Sequence, residues 1–216
     1  VIKPYYTSKL GTLYNCDCLD ILPEIEQVDL CLTDPPYGIN YQSNRRAERY
    51  DKIANDTTID ITDKIIEWCF QSVTGASYVF ARWDMIYTIP KPKSLIVWVK
   101  NNWTSGDLEH EHARQWEAIL FYKGKNHKFL DKRPCDIIYN DKTLNELHPT
   151  EKPVNLIKKM LMWHDGLVLD PFLGSGTTAI AAEDLNRRWI GIEKEEKYCE
   201  LASKRIEQFL SQGKLF

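Results

Sequence analysis

Asp34-Pro35-Pro36-Tyr37 brings a carboxylate, peptide carbonyls and an aromatic ring together on one stiff corner of the chain. It follows Val28-Asp29-Leu30-Cys31-Leu32-Thr33, an apolar run that reads as a buried strand. Two successive prolines cannot continue a central strand, because each lacks an N–H and has a fixed φ. The residue before a proline is driven to extended geometry, which stiffens both Asp34 and Pro35. The strand must therefore end here and present acceptors and a ring to something flat that donates N–H bonds, such as a nucleobase with an exocyclic amine.

The second group is Asp170-Pro171-Phe172-Leu173-Gly174-Ser175-Gly176-Thr177-Thr178. Gly174 and Gly176 allow a tight bend and close approach of a ligand to the backbone. A helix beginning at Thr177 would offer unpaired N–H groups and a partial positive charge, suited to a carboxylate or phosphate. Glu193, ending the next apolar run, is placed to accept both hydroxyls of a ribose. Gly174-x-Gly176-x-x-Ala179 followed by Glu193 also fits a dinucleotide fingerprint. Three features oppose a hydride-transfer enzyme. The bend leaves room for only one strand after it, Asp-Pro-Phe precedes it, and Asp34-Pro35-Pro36-Tyr37 has no role in that chemistry.

Positioning these groups takes alternating strands and helices. Strands are expected at 13–16, 28–33, 77–81, 95–99, 117–122, 167–170 and 189–193, with 95–99 central by its unbroken apolar run. A brief helical turn is expected at 19–25 and a short helix at 83–89. A helix capped by Thr62 would carry Ile65, Ile66, Cys69, Phe70 and Val73 inward. Leu156, Ile157, Met160 and Leu161 mark another helix, framed by Pro149 and Pro153. Thr177–Leu185 reads as an Ala-rich helix. Residues 195–211 form the last, with Tyr198, Leu201, Ala202, Ile206, Phe209 and Leu210 inward and a Glu200/Lys204 pair outward. This alternation predicts an α/β domain, a parallel sheet with helices on both faces.

With 216 residues the chain suits one domain that buries about 70% of its unfolded surface. No apolar run approaches a membrane span, and Val1-Ile2-Lys3-Pro4 has no secretory pattern. The six cysteines lack CxxC spacing. Cys16 and Cys18, on one face if in a strand, read as reduced thiols of a cytoplasmic protein. His110 and His112 have no further ligand set after them, so no metal is expected. A net charge of −3 argues against nonspecific coating of nucleic acid. Two local basic stretches remain: Arg45, Arg46, Arg49 and Lys52, and Lys123, Lys125, Lys128, Lys132 and Arg133. Residues 38–58 form a long polar connection, expected to be mobile.

Taken in order, these motifs resemble those of DNA amino-methyltransferases that use S-adenosylmethionine, specifically the β group. Asp34-Pro35-Pro36-Tyr37 resembles the catalytic motif in its adenine-N6 form, and Phe172-Leu173-Gly174-Ser175-Gly176 the cofactor motif. His148-Pro149-Thr150-Glu151-Lys152-Pro153 resembles the segment before the cofactor strand, and Cys16-Asp17-Cys18-Leu19 the turn that holds the cofactor's adenine. The resemblance spans nearly the whole chain. It implies a Rossmann-like class I methyltransferase fold in a circularly permuted motif order. The sheet would be mostly parallel and seven-stranded, with one antiparallel strand.

It further implies that Asp34, Pro35, Pro36 and Tyr37 are catalytic. Asp17 and Cys18 would take the cofactor's adenine and Glu193 its ribose. Asp34, Thr150, Lys152, Asp170, Phe172, Gly174, Ser175, Gly176 and Thr177 would complete the cofactor site. Double-stranded DNA is the implied partner, contacted by Arg45, Arg46, Arg49, Lys123, Lys125 and Lys128. Residues 101–147 are the short candidate for target recognition, and a homodimer is compatible with the resemblance. Cytosine-N4 methylation is the nearest alternative. Protein-glutamine and RNA methyltransferases with a Pro-Pro-Tyr turn usually carry Asn at the position of Asp34, and a silent DNA-binding module would have no need of two intact motifs.

Overall fold

The computed structural model describes residues 2–36, 60–101, 109–110, 112–141 and 151–212. Its elements in order are β1 (Tyr6–Thr7), β2 (Gly11–Asn15), α1 (Cys18–Ile21), β3 (Val28–Thr33), α2 (Asp60–Ser72), β4 (Val73–Ala81), β5 (Ser94–Val99), β6 (Trp116–Lys123), β7 (Ile137–Tyr139), α3 (Val154–Leu161), β8 (Val168–Asp170), α4 (Thr177–Asp184), β9 (Trp189–Glu193) and α5 (Glu196–Ser211). Short 3-10 turns at Leu22–Glu24 and Trp83–Met85 stand where brief helices were expected.

Among the described residues the strands form one nine-stranded sheet, ordered β1-β2-β9-β8-β3-β4-β6-β5-β7. β2, β9, β8, β3 and β4 run parallel, and β6 runs against both β4 and β5. β7 is parallel to β5, and β1 opposes β2. The expected seven strands with one antiparallel thus become nine with two antiparallel. The extra strands are edge pieces of two and three residues, too short to show a period.

Alternate residues of the strands face opposite layers. Leu30, Leu32, Tyr78, Phe80, Ile119 and Phe121 pack with α3, α4 and α5. Cys31 and Leu169 pack with α1 and α2, and Val79, Leu120 and Tyr122 with Ile66 and Ile89. Helices therefore cover both faces. β5 is not central: it lies one strand from the edge, and its burial alternates. α2 begins before Thr62, so Thr62 lies inside it rather than capping it. Phe70 is exposed, and Val73 opens β4 directly after the helix. In α5 the buried residues are Cys199, Ala202 and Ile206, with Leu210 exposed and the outward Glu200–Lys204 pair formed. Cys16 and Cys18 share no strand: Cys18 opens α1, and all six cysteines are free thiols. No helix among the described residues is long and apolar enough to cross a membrane.

Candidate active site

β3 and β8 are parallel neighbours, with Cys31 opposite Leu169. Asp34 and Asp170 therefore reach the same carboxyl edge of the sheet side by side. Asp34 follows the last strand residue, Thr33, and Pro35 and Pro36 carry the chain off the sheet. The Lys152 ammonium, from the segment entering α3, donates to Asp34 Oδ2 at 2.7 Å. Its nitrogen also lies 3.4 Å from Glu117 Oε2 and 4.9 Å from the centre of the Phe80 ring. Glu117, near the start of β6, is ion-paired in turn with Lys100, which follows β5. Burial alone would raise the Glu117 carboxyl, but Lys152 and Lys100 more than offset it and hold it at about 2. Burial would lower the Lys152 ammonium, yet Asp34 and Glu117 push it above its ordinary value.

The glycine bend lies at the end of β8. Leu173 N–H bonds Ile192 O at 2.8 Å, and Gly176 N–H returns to Leu173 O at 3.0 Å. Gly174 has φ 53° and Gly176 φ 88°, left-handed conformations that favour glycine at both positions. Glu193 braces the bend: Gly174 N–H donates to Oε2 at 2.9 Å and Glu195 N–H to Oε1 at 2.8 Å. Each oxygen retains acceptor capacity beyond one bond. Burial raises the Glu193 carboxyl, partly offset by these two N–H donors. Asp170 spans the bend, accepting from Phe172 N–H at 3.1 Å and from the Thr178 hydroxyl at 2.6 Å. Burial nevertheless pushes it up to about 7. The Thr177 hydroxyl, in the first turn of α4, is buried with no hydrogen-bond partner among the described residues.

Several expected cofactor residues have structural tasks as well. Ser175 accepts from Arg205 through both its carbonyl, at 2.5 Å, and its hydroxyl, at 2.8 Å. Arg205 also pairs with Glu151 at 2.7 Å, tying α5 to the segment that carries Lys152. Asp17 caps α1 by accepting the Leu19 N–H at 3.0 Å and pairs with Lys194 at 2.9 Å. Those contacts hold its carboxyl low despite burial, which acts the other way. Cys18 is buried, which pushes its thiol up to about 12. Phe172 packs on the α1/α2 side of the sheet.

Asp34, Lys152, Asp170, Phe172, Gly174, Ser175, Gly176, Thr177 and Glu193 thus gather at one edge, with Asp17 and Cys18 following the adjoining end of β2. Tyr37, Thr150, Arg45, Arg46, Arg49 and the 38–58 connection lie outside the described residues. Lys123, Lys125 and Lys128 are not brought to this edge. β6 runs backwards, so Lys123 pairs with Ala76 near the start of β4, and the N–H groups of Gly124 and Asn126 bond Gly75 and Thr74 there. Residues 116–123 and 137–139, within 101–147, are strands of the sheet itself. Sequence reasoning passed over Lys100, Glu117, Lys194 and Arg205. Charges abutting apolar strands were the available signal for the first two; nothing local marked Arg205.

The family model for N6/N4 methyltransferases, described as DNA methylase, matches residues 28–204. The Type II methyltransferase M2.MboI of Moraxella bovis is 28% identical, over 96% of this chain and 92% of its own length. The Type II methyltransferase M.HinfI of Haemophilus influenzae is 26% identical, over 96% of this chain and 71% of its own. The crystal structure of the M1.HpyAVI–SAM complex superposes with a TM-score of 0.69 at 27% identity, covering 91% of this chain and all (100%) of that one. The cytosine-N4-specific PvuII DNA methyltransferase shares the fold, with a TM-score of 0.72 at 18% identity over 98% of this chain and 95% of its own.

Proposed function

Because the chain belongs to the N6/N4 DNA methylase family, we propose that it methylates the N6 amine of adenine in double-stranded DNA, using S-adenosylmethionine. The observation that carries this reading is the placement of Asp34 beside the Gly174–Gly176 bend, at the ends of neighbouring strands. Catalytic motif before cofactor motif is the β-group permutation, read from chain order.

The site suits such a cofactor. The unpartnered Thr177 hydroxyl and the first turn of α4 offer donors to a carboxylate, and Glu193 offers acceptors to ribose hydroxyls. Asp170, Phe172, Ser175 and the glycine bend would hold the methionine portion, with Thr150 near it, and Asp17 with the Cys18 backbone would hold the adenine. When bound, S-adenosylmethionine supplies an electrophilic methyl group on a sulfonium.

The protein's part is orientation. An adenine N6 lone pair is delocalised into the ring and is a poor nucleophile. Asp34 and the Pro35 carbonyl would accept its two hydrogens, draw the nitrogen toward tetrahedral geometry and aim the lone pair at the methyl. Pro36 keeps that corner stiff, and Tyr37 would stack on the base. Since N6 cannot reach a site like this from inside a duplex, the base must be flipped out. After transfer, the positively charged amine is acidic enough to release a proton without a strong base.

Arg45, Arg46 and Arg49, in the 38–58 connection that follows the catalytic motif, are the proposed phosphate contacts. The chain would act as a single domain, with 101–147 supplying recognition between its strands, alone or as a homodimer. Action on cellular DNA would place it in the cytoplasm, in a restriction–modification setting like that of its Type II relatives. Incubation of DNA with methyl-labelled cofactor, then nucleoside analysis, tests the reading: N6-methyladenine supports it, N4-methylcytosine replaces it with the nearest alternative, and unlabelled DNA refutes both.

A further inference from the structure

Asp34, Lys152, Glu117 and Lys100 form a row of alternating charges at the mouth of the site, from β3, the entry to α3, β6 and the end of β5. Lys152 and Lys100 are buried, one over the ring of Phe80 and the other 5.2 Å from the centre of the Trp98 ring. Two lysines are not buried against aromatic rings at a catalytic edge without acid partners, since an unpaired buried charge costs several kcal/mol. We propose that Lys152 is a positioning residue that keeps the Asp34 carboxylate ionised and oriented for an incoming amine, while Glu117, itself held by Lys100, sets how much of the ammonium's charge Asp34 receives. This rests on the amino-methyltransferase reading, which makes Asp34 an acceptor.

The reasoning is electrostatic. A flat base entering the site strips water from Asp34. Desolvation favours the protonated acid, and so does the neighbouring Asp170; Asp170 itself is pushed up to about 7 by burial. A protonated Asp34 would no longer accept two-sidedly and would fail to draw the amine's hydrogens. The Lys152 ammonium at 2.7 Å opposes this. An undivided ammonium would overcorrect and weaken the carboxylate as an acceptor. Glu117 draws off part of that charge from 3.4 Å, and Lys100 keeps Glu117 ionised and in place. Removing the cation and removing its second partner must therefore move Asp34 in opposite directions, which a merely architectural role does not require.

The test uses the full chain as wild type, Lys152→Met, Lys152→Arg and Glu117→Gln. The carboxyl titration of Asp34 is followed by 13C NMR, assigned with Asp34→Asn. kcat and KM are measured across pH 5–9, with equilibrium affinity for S-adenosylmethionine alongside. Lys152→Met should raise the Asp34 titration and the acid limb of kcat by about one pH unit or more, and lower kcat at pH 7 by roughly tenfold or more. Lys152→Arg should restore most of both, and Glu117→Gln should shift the titration downward. Cofactor affinity should stay within about twofold.

Unmoved titrations in both variants, or a shift in the same direction, overturn the inference. So does a loss of cofactor affinity with kcat intact, which would make Lys152 a cofactor ligand. If Lys152→Met does not fold, the Lys152→Arg and Glu117→Gln titrations decide. If the wild type methylates no DNA, the functional reading fails, and the NMR titration still decides whether Lys152 governs the charge on Asp34.

Discussion

Glu193 accepts the Gly174 N–H at 2.9 Å, so the acid at the end of β9 and the bend at the end of β8 form one rigid unit. The same carboxylate is the one proposed to hold the ribose. Glu193→Ala should therefore weaken S-adenosylmethionine binding by roughly tenfold or more, the cost of removing hydrogen bonds to a charged acceptor. It should also loosen residues 173–176. Calorimetric titration reads the first effect and amide hydrogen exchange the second; an unaltered Kd would remove Glu193 from the ribose site.

In the proposed cofactor site, Asp170 should bring a pH dependence. Burial pushes its carboxyl up to about 7, so it is protonated in the free protein below that pH. A ligand bearing a sulfonium favours the ionised form. Affinity should rise as pH climbs from about 6 to 8 and level off above. Asp170→Asn should flatten that rise. Binding measured on both proteins across the range checks it, with the ligand's own titration common to the two.

A separate pH effect belongs to His164, far from the chemistry. Its Nε2 lies 2.6 Å from the Tyr78 hydroxyl, beside His127 and Phe129. Burial first, then His127 and Arg187, push the imidazole down to about 4. The unfolded chain takes up this proton near pH 6.5 and the folded one near 4. Stability is therefore full above about 6.5 and is lost as pH falls toward 4, at no more than about 1.4 kcal/mol per pH unit. Thermal melts at pH 7, 6, 5 and 4 should show the decline. His164→Asn should melt lower at pH 7, with a shallower decline.

Gly176 resists substitution on two counts. Its φ is 88°, and an added Cβ would lie 3.0 Å from the Ala202 Cβ on α5. Gly176→Ala should cost about 2 kcal/mol, from left-handed backbone strain plus the displaced helix. A urea denaturation midpoint compared with wild type gives the number, and an unchanged midpoint would refute the close approach of the two elements.

The basic residues divide by place. Lys123 ends β6 near the start of β4, away from Asp34. Replacing Lys123, Lys125 and Lys128 by Gln should change DNA affinity less than about threefold at moderate salt. Replacing Arg45, Arg46 and Arg49 should weaken it far more and reduce the salt dependence by about one unit for each phosphate no longer neutralised. Affinities at several salt concentrations separate the two groups.

Much of this was legible in the chain. Val28–Thr33 read as a strand because it is mostly apolar and stopped by two prolines, and the glycine bend read as a strand-to-helix junction from its spacing. The charge row was not legible. Asp34 and Lys152 are separated by 118 positions, and the pair forms only once the segment entering α3 is laid against the end of β3. Thr62 looked like a cap because a hydroxyl residue preceded an apolar face, yet α2 starts upstream of it. β4 begins four residues earlier than its apolar run suggests. Thr74 and Gly75 weaken the local pattern, while pairing with β3 sustains the strand.

The reversed course of β6 also bears on how this protein could change its target. The chain leaves β5 after Val99 and enters β6 at Trp116, and both of those ends stand beside Glu117 and the reactive corner. The stretch from Lys123 to Ile137 turns over on the far side. New specificities should therefore be reachable by exchanging what lies between Lys100 and Trp116, as a cassette whose two anchor points the sheet already holds, with Lys100 and the transfer chemistry left in place.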